Sequence, residues 1–127
     1  MHPENFRITK IKMKVLKFGG TSVGSPENMR AVIDIIADGE QKLVVLSAMS
    51  GTTNALVEIA GYLHKKNKDT ASVLIGNLES KYKKVVDDLY KTEESKIQGL
   101  QIVKASFDTL RSFTSGTFNE VGENTIV

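Results

Sequence analysis

Apolar residues follow two different spacings in the first part of the chain, and together these spacings predict a βαβ unit. Residues 14–18 (KVLKF) mix apolar residues with lysines and are predicted to form a strand, and residues 43–46 (LVVL) are a continuous apolar run with the length of a second strand. Between them, four apolar residues recur at i, i+3, i+4 and i+7: Met29, Val32, Ile33 and Ile36. This second spacing predicts an amphipathic helix. A helix that joins two strands over this length makes the strands parallel and the crossover right-handed.

The predicted helix has clear end signals. Ser25 suits the N-cap, and Pro26 suits the first helical position because the N–H that it lacks would have no partner there. Asp38 and Gly39 predict the end of the helix, with Gly39 just past the last helical residue. Residues 43–46 are continuously apolar, which is typical of a strand that is covered on both faces.

The rest of the chain is predicted to be largely helical. A helix with Leu56, Ile59, Ala60 and Leu63 on one face ends in the lysine-rich residues 65–69 (KKNKD). Two longer stripes predict an antiparallel helical hairpin with residues 91–98 as its connection. The stripes are Ile75, Leu78, Tyr82, Val85 and Leu89, then Leu100, Val103, Phe107, Leu110 and Phe113. Residues 1–12 are interpreted as a disordered leader, and residues 114–127 show no clear period.

Composition excludes several classes of protein. The 127 residues are 40% apolar and 25% charged, as in one soluble globular domain or part of one. The net charge of +2 is too small to favour nucleic-acid binding. The chain has no Cys and two His, so disulfides, thiolate metal sites and His-rich metal sites are not expected. It has no membrane-length apolar run and no signal peptide, so we expect a cytoplasmic protein without a membrane partner.

Each predicted strand runs into a polar turn that contains glycine. The first turn is residues 19–24 (GGTSVG), and the second turn is residues 47–54 (SAMSGTTN). Because the carboxyl ends of parallel strands meet at one edge of a sheet, we expect the two turns to be neighbours. Each turn also opens a helix, whose free N–H groups and partial positive charge suit an anion. This predicts a site for phosphates, or for a phosphate beside a carboxylate, without the P-loop or the dinucleotide motif.

Lys17 is the candidate cation of this site. Alternation places it on the face opposite Leu16 and Phe18, where its ammonium could reach a phosphoryl group over Gly19 and Gly20.

Simpler interpretations exist for these residues. A glycine pair after a strand is often only a tight turn, and Lys17 could be a surface cation. Hydroxyl residues of the second turn could serve only as helix caps: Ser47, Ser50, Thr52 and Thr53. We interpret His64 and the cluster of Lys81, Lys83 and Lys84 as solvent-facing. The aromatic residues Tyr82, Phe107 and Phe113 are interpreted as core.

The two turns carry strings that resemble the aspartate kinases of the amino acid kinase superfamily. Residues 17–23 (KFGGTSV) are similar to the N-terminal signature of that family, and residues 44–54 (VVLSAMSGTTN) are similar to its second motif. The resemblance implies an α/β fold, a three-layer α/β/α sandwich around a mainly parallel sheet. Residues 13–127 would form the N-terminal part of that catalytic domain, as a βαβ unit followed by a helical hairpin.

The resemblance also implies an activity. The family phosphorylates the side-chain carboxylate of L-aspartate with ATP and Mg²⁺ to give 4-phospho-L-aspartate, which opens lysine, threonine, methionine and diaminopimelate synthesis. Lys17 would be the catalytic residue that contacts the ATP phosphates. The other implied phosphate-site residues are Phe18, Gly19, Gly20, Thr21 and Ser22. Ser47 and Ala48 would lie near the substrate, Thr53 would bind aspartate, and no protein ligand to a metal is assigned.

The chain departs from the family near its end. Gly122 and Glu123 match the family's Gly-Glu motif only superficially, so we expect the substrate-binding glutamate beyond Val127. Two parallel strands do not make a stable sheet in water, and open apolar edges pair with other chains. We therefore expect an N-terminal fragment that is inactive alone and self-associates or forms a homo-oligomer. The alternatives are a kinase of another amino acid, and a non-catalytic module that binds a partner through its helical hairpin.

Overall fold

The computed structural model describes residues 13–116 of the chain. Its elements are β1 (Lys14–Phe18), α1 (Pro26–Ile36), β2 (Lys42–Leu46), α2 (Thr52–His64), α3 (Lys68–Leu89) and α4 (Glu93–Ser112). The α/β class and the order of a βαβ unit followed by a helical hairpin are confirmed. The predicted leader at residues 1–12, and Gly122 with Glu123, lie outside the described residues.

The strands β1 and β2 pair in parallel, as predicted. Lys14 lies opposite Lys42 and Phe18 lies opposite Leu46, and these are the strands that residues 13–116 contain. The apolar sequence of β2 is typical of a strand covered on both faces, but residues 13–116 cover only one face. Val45 is 41% exposed, and Val15 on the same face is 63% exposed. The described helices cover only the opposite face, which holds Phe18 and other half-buried residues.

Helix α1 begins as its sequence predicts. The Ser25 hydroxyl oxygen accepts a hydrogen bond of 3.1 Å from the backbone N–H of Asn28, and Pro26 is the first helical residue. The helix ends at Ile36, slightly before the predicted end, although Gly39 does adopt a φ of +78°. Only part of the predicted apolar stripe is buried, since Val32 is buried and Ile33 is exposed.

The main apolar core lies between α2, α3 and α4. Ile59 and Ile75 are fully buried, and the aromatic rings of Tyr82 and Phe107 pack with their centroids 5.8 Å apart. The other buried members are Leu63, Ala71, Leu78, Val86, Val103, Phe107 and Leu110. Most of these residues belong to the stripes that the periodicity singles out, which confirms a helical hairpin with its own core.

The connections between the helices are shorter than predicted. Helix α4 begins at Glu93, inside the predicted connection 91–98, because Thr92 caps it by accepting a hydrogen bond of 3.2 Å from the N–H of Ser95. At the other end of the hairpin, Asn67 caps α3, so Lys68 and Asp69 belong to α3 rather than to the end of α2.

Gly99 sets the distance between the two long helices. A Cβ atom on Gly99 would lie 2.9 Å from Cγ1 of Val86, so α4 approaches α3 more closely than any larger residue permits. The predicted stripe member Leu100 is exposed instead. Within residues 13–116, no helix has the length and apolar character that crossing a membrane requires.

Candidate functional site

The two glycine-containing turns lie against each other at the carboxyl edge of the sheet. The N–H of Ser50 donates a hydrogen bond of 3.2 Å to the carbonyl of Gly20, and the N–H of Ser47 donates one of 3.0 Å to the carbonyl of Phe18. A Cβ atom on Gly20 would stand 3.0 Å from the carbonyl oxygen of Ala48, so the close approach depends on glycine there. The predicted juxtaposition of the turns is confirmed.

One buried apolar residue anchors each turn. Val23 in the first turn and Met49 in the second turn are both buried, although their neighbours in sequence are mostly polar. Neither burial was predicted from the sequence, where both residues are parts of the two motifs. A lone apolar side chain within a polar turn was the signal that could have identified them as anchors.

The first turn offers backbone donors without internal partners. It is closed by hydrogen bonds from Val23 N–H to Gly19 and from Gly24 N–H to Thr21, at 3.3 and 3.2 Å. In the part of the chain that the structure describes, the N–H groups of Gly20, Thr21 and Ser22 donate no such turn hydrogen bond. Successive free N–H groups in a turn form a concave site for an anion.

Two adjacent threonines of the second turn differ in their exposure to solvent. Thr52 is buried, and its Oγ1 lies 2.7 Å from the hydroxyl of Tyr82. Thr53 is exposed in the first turn of α2. The N-cap of α2 is Gly51, with a φ of +85° and no side-chain capping bond. Helix capping, the simpler interpretation of these hydroxyls, is therefore not what they do at α2.

Lys17 stands at the end of β1 on the face that the described residues leave open. It is exposed, whereas Leu16 and Phe18 on the opposite face are partly buried, as alternation predicts. Among residues 13–116 its ammonium makes no ion pair within 4.0 Å. Within the described residues, a cation without an acidic partner therefore lies directly before the first turn.

Helix α3 contributes a second cation, whose contact with the second turn was not predicted. The ammonium of Lys81 donates a hydrogen bond of 2.9 Å to the carbonyl of Ser50. Lys81 and Lys83 are exposed to solvent, as predicted, but Lys81 also bonds to the second turn, and Lys83 forms an ion pair of 2.8 Å with Glu79. Nothing local in sequence connects Lys81 with a turn 31 residues earlier, and only the packing of α3 brings them together.

Two cavities border these elements. The larger, about 380 Å³, lies among α2, α3 and α4, is mostly apolar in lining, and reaches the second turn only at Thr52. The smaller, about 280 Å³, is lined by the predicted phosphate-site residues Phe18, Thr21 and Ser22 and by residues of α1. The smaller cavity is the more relevant to function, because Thr21 and Ser22 of the first turn line it.

The carboxylates with shifted pKa values lie away from the two turns. Hydrogen bonds from Arg111 and then from Lys83 hold the pKa of Glu79 below its ordinary value, and a hydrogen bond from Lys42 lowers the pKa of Asp38. Within the described part of the chain, no group of three or more His, Cys, Asp or Glu residues could hold a metal ion. The polar groups described at the two turns are backbone N–H groups, hydroxyls and the ammonium groups of Lys17 and Lys81.

The sequence matches one family profile over most of its length. The profile of the amino acid kinase family covers residues 12–118. The chain is 52% identical over 50 residues to the aspartate kinase of Pseudomonas fluorescens (strain SBW25). This match covers 36% of the chain and 12% of that protein. It is also 36% identical over 80 residues to the chloroplastic bifunctional aspartokinase/homoserine dehydrogenase of Daucus carota. This match covers 61% of the chain and 9% of that protein.

A third relative resembles the chain over a larger share of both proteins. The chain is 36% identical over 102 residues to a Haemophilus influenzae protein named "Putative inactive aspartokinase 3". This match covers 80% of the chain and 68% of that protein. The chain thus spans a small part of the first two relatives and most of the third.

Proposed function

Because the chain belongs to the amino acid kinase family and, within it, is related to the aspartokinases, we propose that it supplies the two substrate-binding turns of an ATP-dependent aspartate kinase. The proposed reaction transfers the terminal phosphoryl group of ATP to the side-chain carboxylate of L-aspartate and gives 4-phospho-L-aspartate. The product would enter the synthesis of lysine, threonine, methionine and diaminopimelate. L-aspartate and ATP are the proposed partners.

The observation that supports this proposal most strongly is the hydrogen bond from Ser50 N–H to the carbonyl of Gly20. This bond joins the first turn, with its free N–H donors, to the second turn, which precedes α2. A phosphate bound at the first turn and a carboxylate bound at the second would therefore be neighbours. A kinase that joins a triphosphate to a carboxylate needs this arrangement, because phosphoryl transfer depends mainly on positioning and on neutralising charge.

Lys17 and the first turn would hold the triphosphate. The exposed ammonium of Lys17 would neutralise charge on the transferring group, and the N–H groups of Gly20, Thr21 and Ser22 would donate to phosphate oxygens. Apart from its chain neighbours, no atom of residues 13–116 lies within 4 Å of a Cβ position on Gly19, so the described structure leaves room for a phosphate to approach the backbone there. Such fixed donors lower the barrier because they need not reorganise during the reaction.

The second turn would hold the amino acid. Thr53 would donate its hydroxyl to L-aspartate, and Ser47 and Ala48 would line the same site. The N-terminus of α2 carries a partial positive charge that favours a carboxylate. Mg²⁺ is the proposed cofactor and would accompany the nucleotide phosphates.

We further propose that residues 13–127 are the N-terminal portion of a catalytic domain and that the chain by itself is inactive. The exposed apolar face at Val15 and Val45 supports this, because a parallel sheet is normally covered on both faces. The same face would promote self-association of the isolated chain. The name of the Haemophilus influenzae relative favours a second candidate, an aspartokinase-like protein that binds its ligands without turning them over.

The alternative of a non-catalytic module that binds a partner through its helical hairpin has less support than a kinase. Its proposed docking surface was the apolar stripe of the hairpin, which includes Val103 and Phe107. Both residues are buried in the core between α3 and α4, so this stripe is already occupied within the chain.

Ligand titration of the ¹⁵N-labelled chain tests the proposal. We expect Mg-ATP to shift amide resonances of the first turn and L-aspartate to shift those of the second. Lys17→Ala should weaken Mg-ATP binding at least about tenfold, because it removes a charge-assisted contact. Thr53→Val should weaken L-aspartate binding without affecting ATP. Lys84→Ala is the matched control for charge. In a complete kinase with these turns, Lys17→Ala should lower kcat at least about a hundredfold.

The outcomes separate the two candidates. Saturable binding of both ligands without phosphorylation, even in a complete protein, would favour the inactive aspartokinase-like protein. Equal Mg-ATP affinity of the Lys17→Ala variant and the wild-type chain would contradict the proposed role of Lys17.

A further inference from the structure

We propose that Lys81 is a positioning residue for the second turn. The ammonium of Lys81, on α3, donates a hydrogen bond of 2.9 Å to the carbonyl of Ser50. The N–H of Ser50 in turn donates a hydrogen bond to the carbonyl of Gly20 in the first turn. Ser50 is therefore held from both sides, by helix α3 through its carbonyl and by the first turn through its N–H. Lys81 thus links the spacing of the two turns to the position of α3.

The backbone around Ser50 explains why a side chain has to supply this bond. The first helical hydrogen bond of α2 runs from Ala55 N–H to the carbonyl of Gly51, at 3.0 Å. The carbonyl of Ser50 therefore lies just outside the helix and receives its hydrogen bond from Lys81 instead. Gly51 turns the chain with its φ of +85°, and a Cβ atom there would lie 3.8 Å from the Lys81 ammonium.

The next residue of α3 makes a second contact with the same turn. The hydroxyl of Tyr82 lies 2.7 Å from Oγ1 of Thr52, two residues after Ser50. Adjacent residues of one helix thus bind both sides of Gly51, one by a charged donor and one by a hydroxyl. Two contacts fix the orientation of the turn, whereas one contact would only fix its distance from α3.

The positioning matters for substrate binding, and this consequence rests on the proposed function. Thr53 follows the clamped residues Ser50 and Thr52 directly, so its hydroxyl is displaced if the turn moves. The Lys81 charge also adds to the positive end of α2, where the carboxylate of L-aspartate would bind. Lys81 acts through the turn and is not proposed to contact the transferring phosphoryl group.

The test compares Lys81→Met with Lys84→Met in the full 127-residue chain. Both positions are exposed on α3, and methionine keeps an unbranched apolar stem. Amide solvent exchange is measured by NMR at Ser50 and Thr52, with core amides of α3 and α4 as the internal reference. We expect Lys81→Met to speed exchange at Ser50 about tenfold and Lys84→Met to leave it unchanged. Lys81→Arg should restore most of the protection, since a guanidinium can donate to the same carbonyl.

Three results would overturn the proposal. One is equal exchange at Ser50 in the two methionine variants. Another is a uniform acceleration over the whole chain in Lys81→Met, which would indicate a general loss of stability. The third is loss of protection in Lys81→Arg as complete as in Lys81→Met.

L-aspartate titration of the same variants separates this proposal from the proposed function. Severalfold weaker binding by Lys81→Met alone supports both. Local acceleration at Ser50 in a chain that binds neither L-aspartate nor Mg-ATP supports the positioning role and contradicts the proposed function.

Discussion

The helical half and the sheet half of this molecule are held together in different ways. Helices α2, α3 and α4 enclose a core that includes the fully buried Ile59 and Ile75. Strands β1 and β2 carry the two turns, yet Val15 and Val45 on their open face are 63% and 41% exposed. The candidate site therefore lies on the half with less buried apolar surface, and hydrogen bonds between backbone segments set its shape.

This difference shows how the site depends on the helices. Arg30 of α1 donates hydrogen bonds to the carbonyls of Asp88 and Leu89, at the end of α3. Lys81 joins α3 to the second turn. Polar contacts with α3 thus connect the two halves. In the sheet half these contacts contribute to rigidity, whereas in the helical half apolar packing does so.

The largest expected effect contrasts a core residue with a sheet residue. Ile75→Ala should lower the free energy of unfolding by about 3 kcal/mol, because it opens a cavity in a fully enclosed site. Val45→Ala should lower it by less than about 1 kcal/mol, because the side chain is already partly solvated. Urea denaturation followed by circular dichroism measures both. Similar losses in the two variants would mean that the open face is covered in solution, by self-association for example.

A smaller effect tests whether close backbone approach shapes the sheet half. Gly20→Ala should cost about 2 kcal/mol, because the new methyl group would press on the carbonyl of Ala48. Gly19→Ala is the matched control, since its Cβ position meets no atom within 4 Å in the described part of the chain, chain neighbours aside. The same denaturation experiment compares them. If the two alanine variants were equally stable, the turns would be looser than the contact at Gly20 implies.

The smallest effect concerns the ion pairs of the helical half and depends on pH. Glu79 is buried, and Arg111 contacts its carboxylate at 2.5 Å. Because Arg111 and then Lys83 lower the pKa of Glu79 in the folded state, the folded chain favours the charged form. The stabilisation is therefore complete above the unfolded-state pKa of about 4.3 and is lost as the pH falls through the lower folded-state pKa.

Glu79→Gln measures that contribution. We expect a loss of about 1 kcal/mol at pH 7, because Arg111 is partly solvated, and a smaller loss at pH 3. Glu58→Gln, at an exposed position of α2, is the control and should change little at either pH. A loss at pH 3 as large as the loss at pH 7 would show that the charge of Glu79 is not what stabilises the hairpin.

Local signals were sufficient to predict most of the elements. The Ser25–Pro26 pair and the stripe through Ile75 and Phe107 led to helices that the structure contains. The connection 91–98 was predicted too long because a cap formed by Thr92 was overlooked. Gly99 was overlooked because a glycine shows its packing role only when a neighbouring helix, here at Val86, is known.

The sequence alone determined that the two turns are neighbours, since parallel strands end at one edge whatever the rest of the chain does. It also determined the residue types that the turns offer: glycines for close approach, Lys17 for charge, and Thr53 for a hydroxyl. Only the tertiary structure decided that Lys81 and Tyr82 hold the second turn, and that Thr52 is buried while Thr53 is exposed. Strand ends and helix caps follow from residues a few positions apart, whereas these contacts form between residues about thirty positions apart, and only folding brings those together.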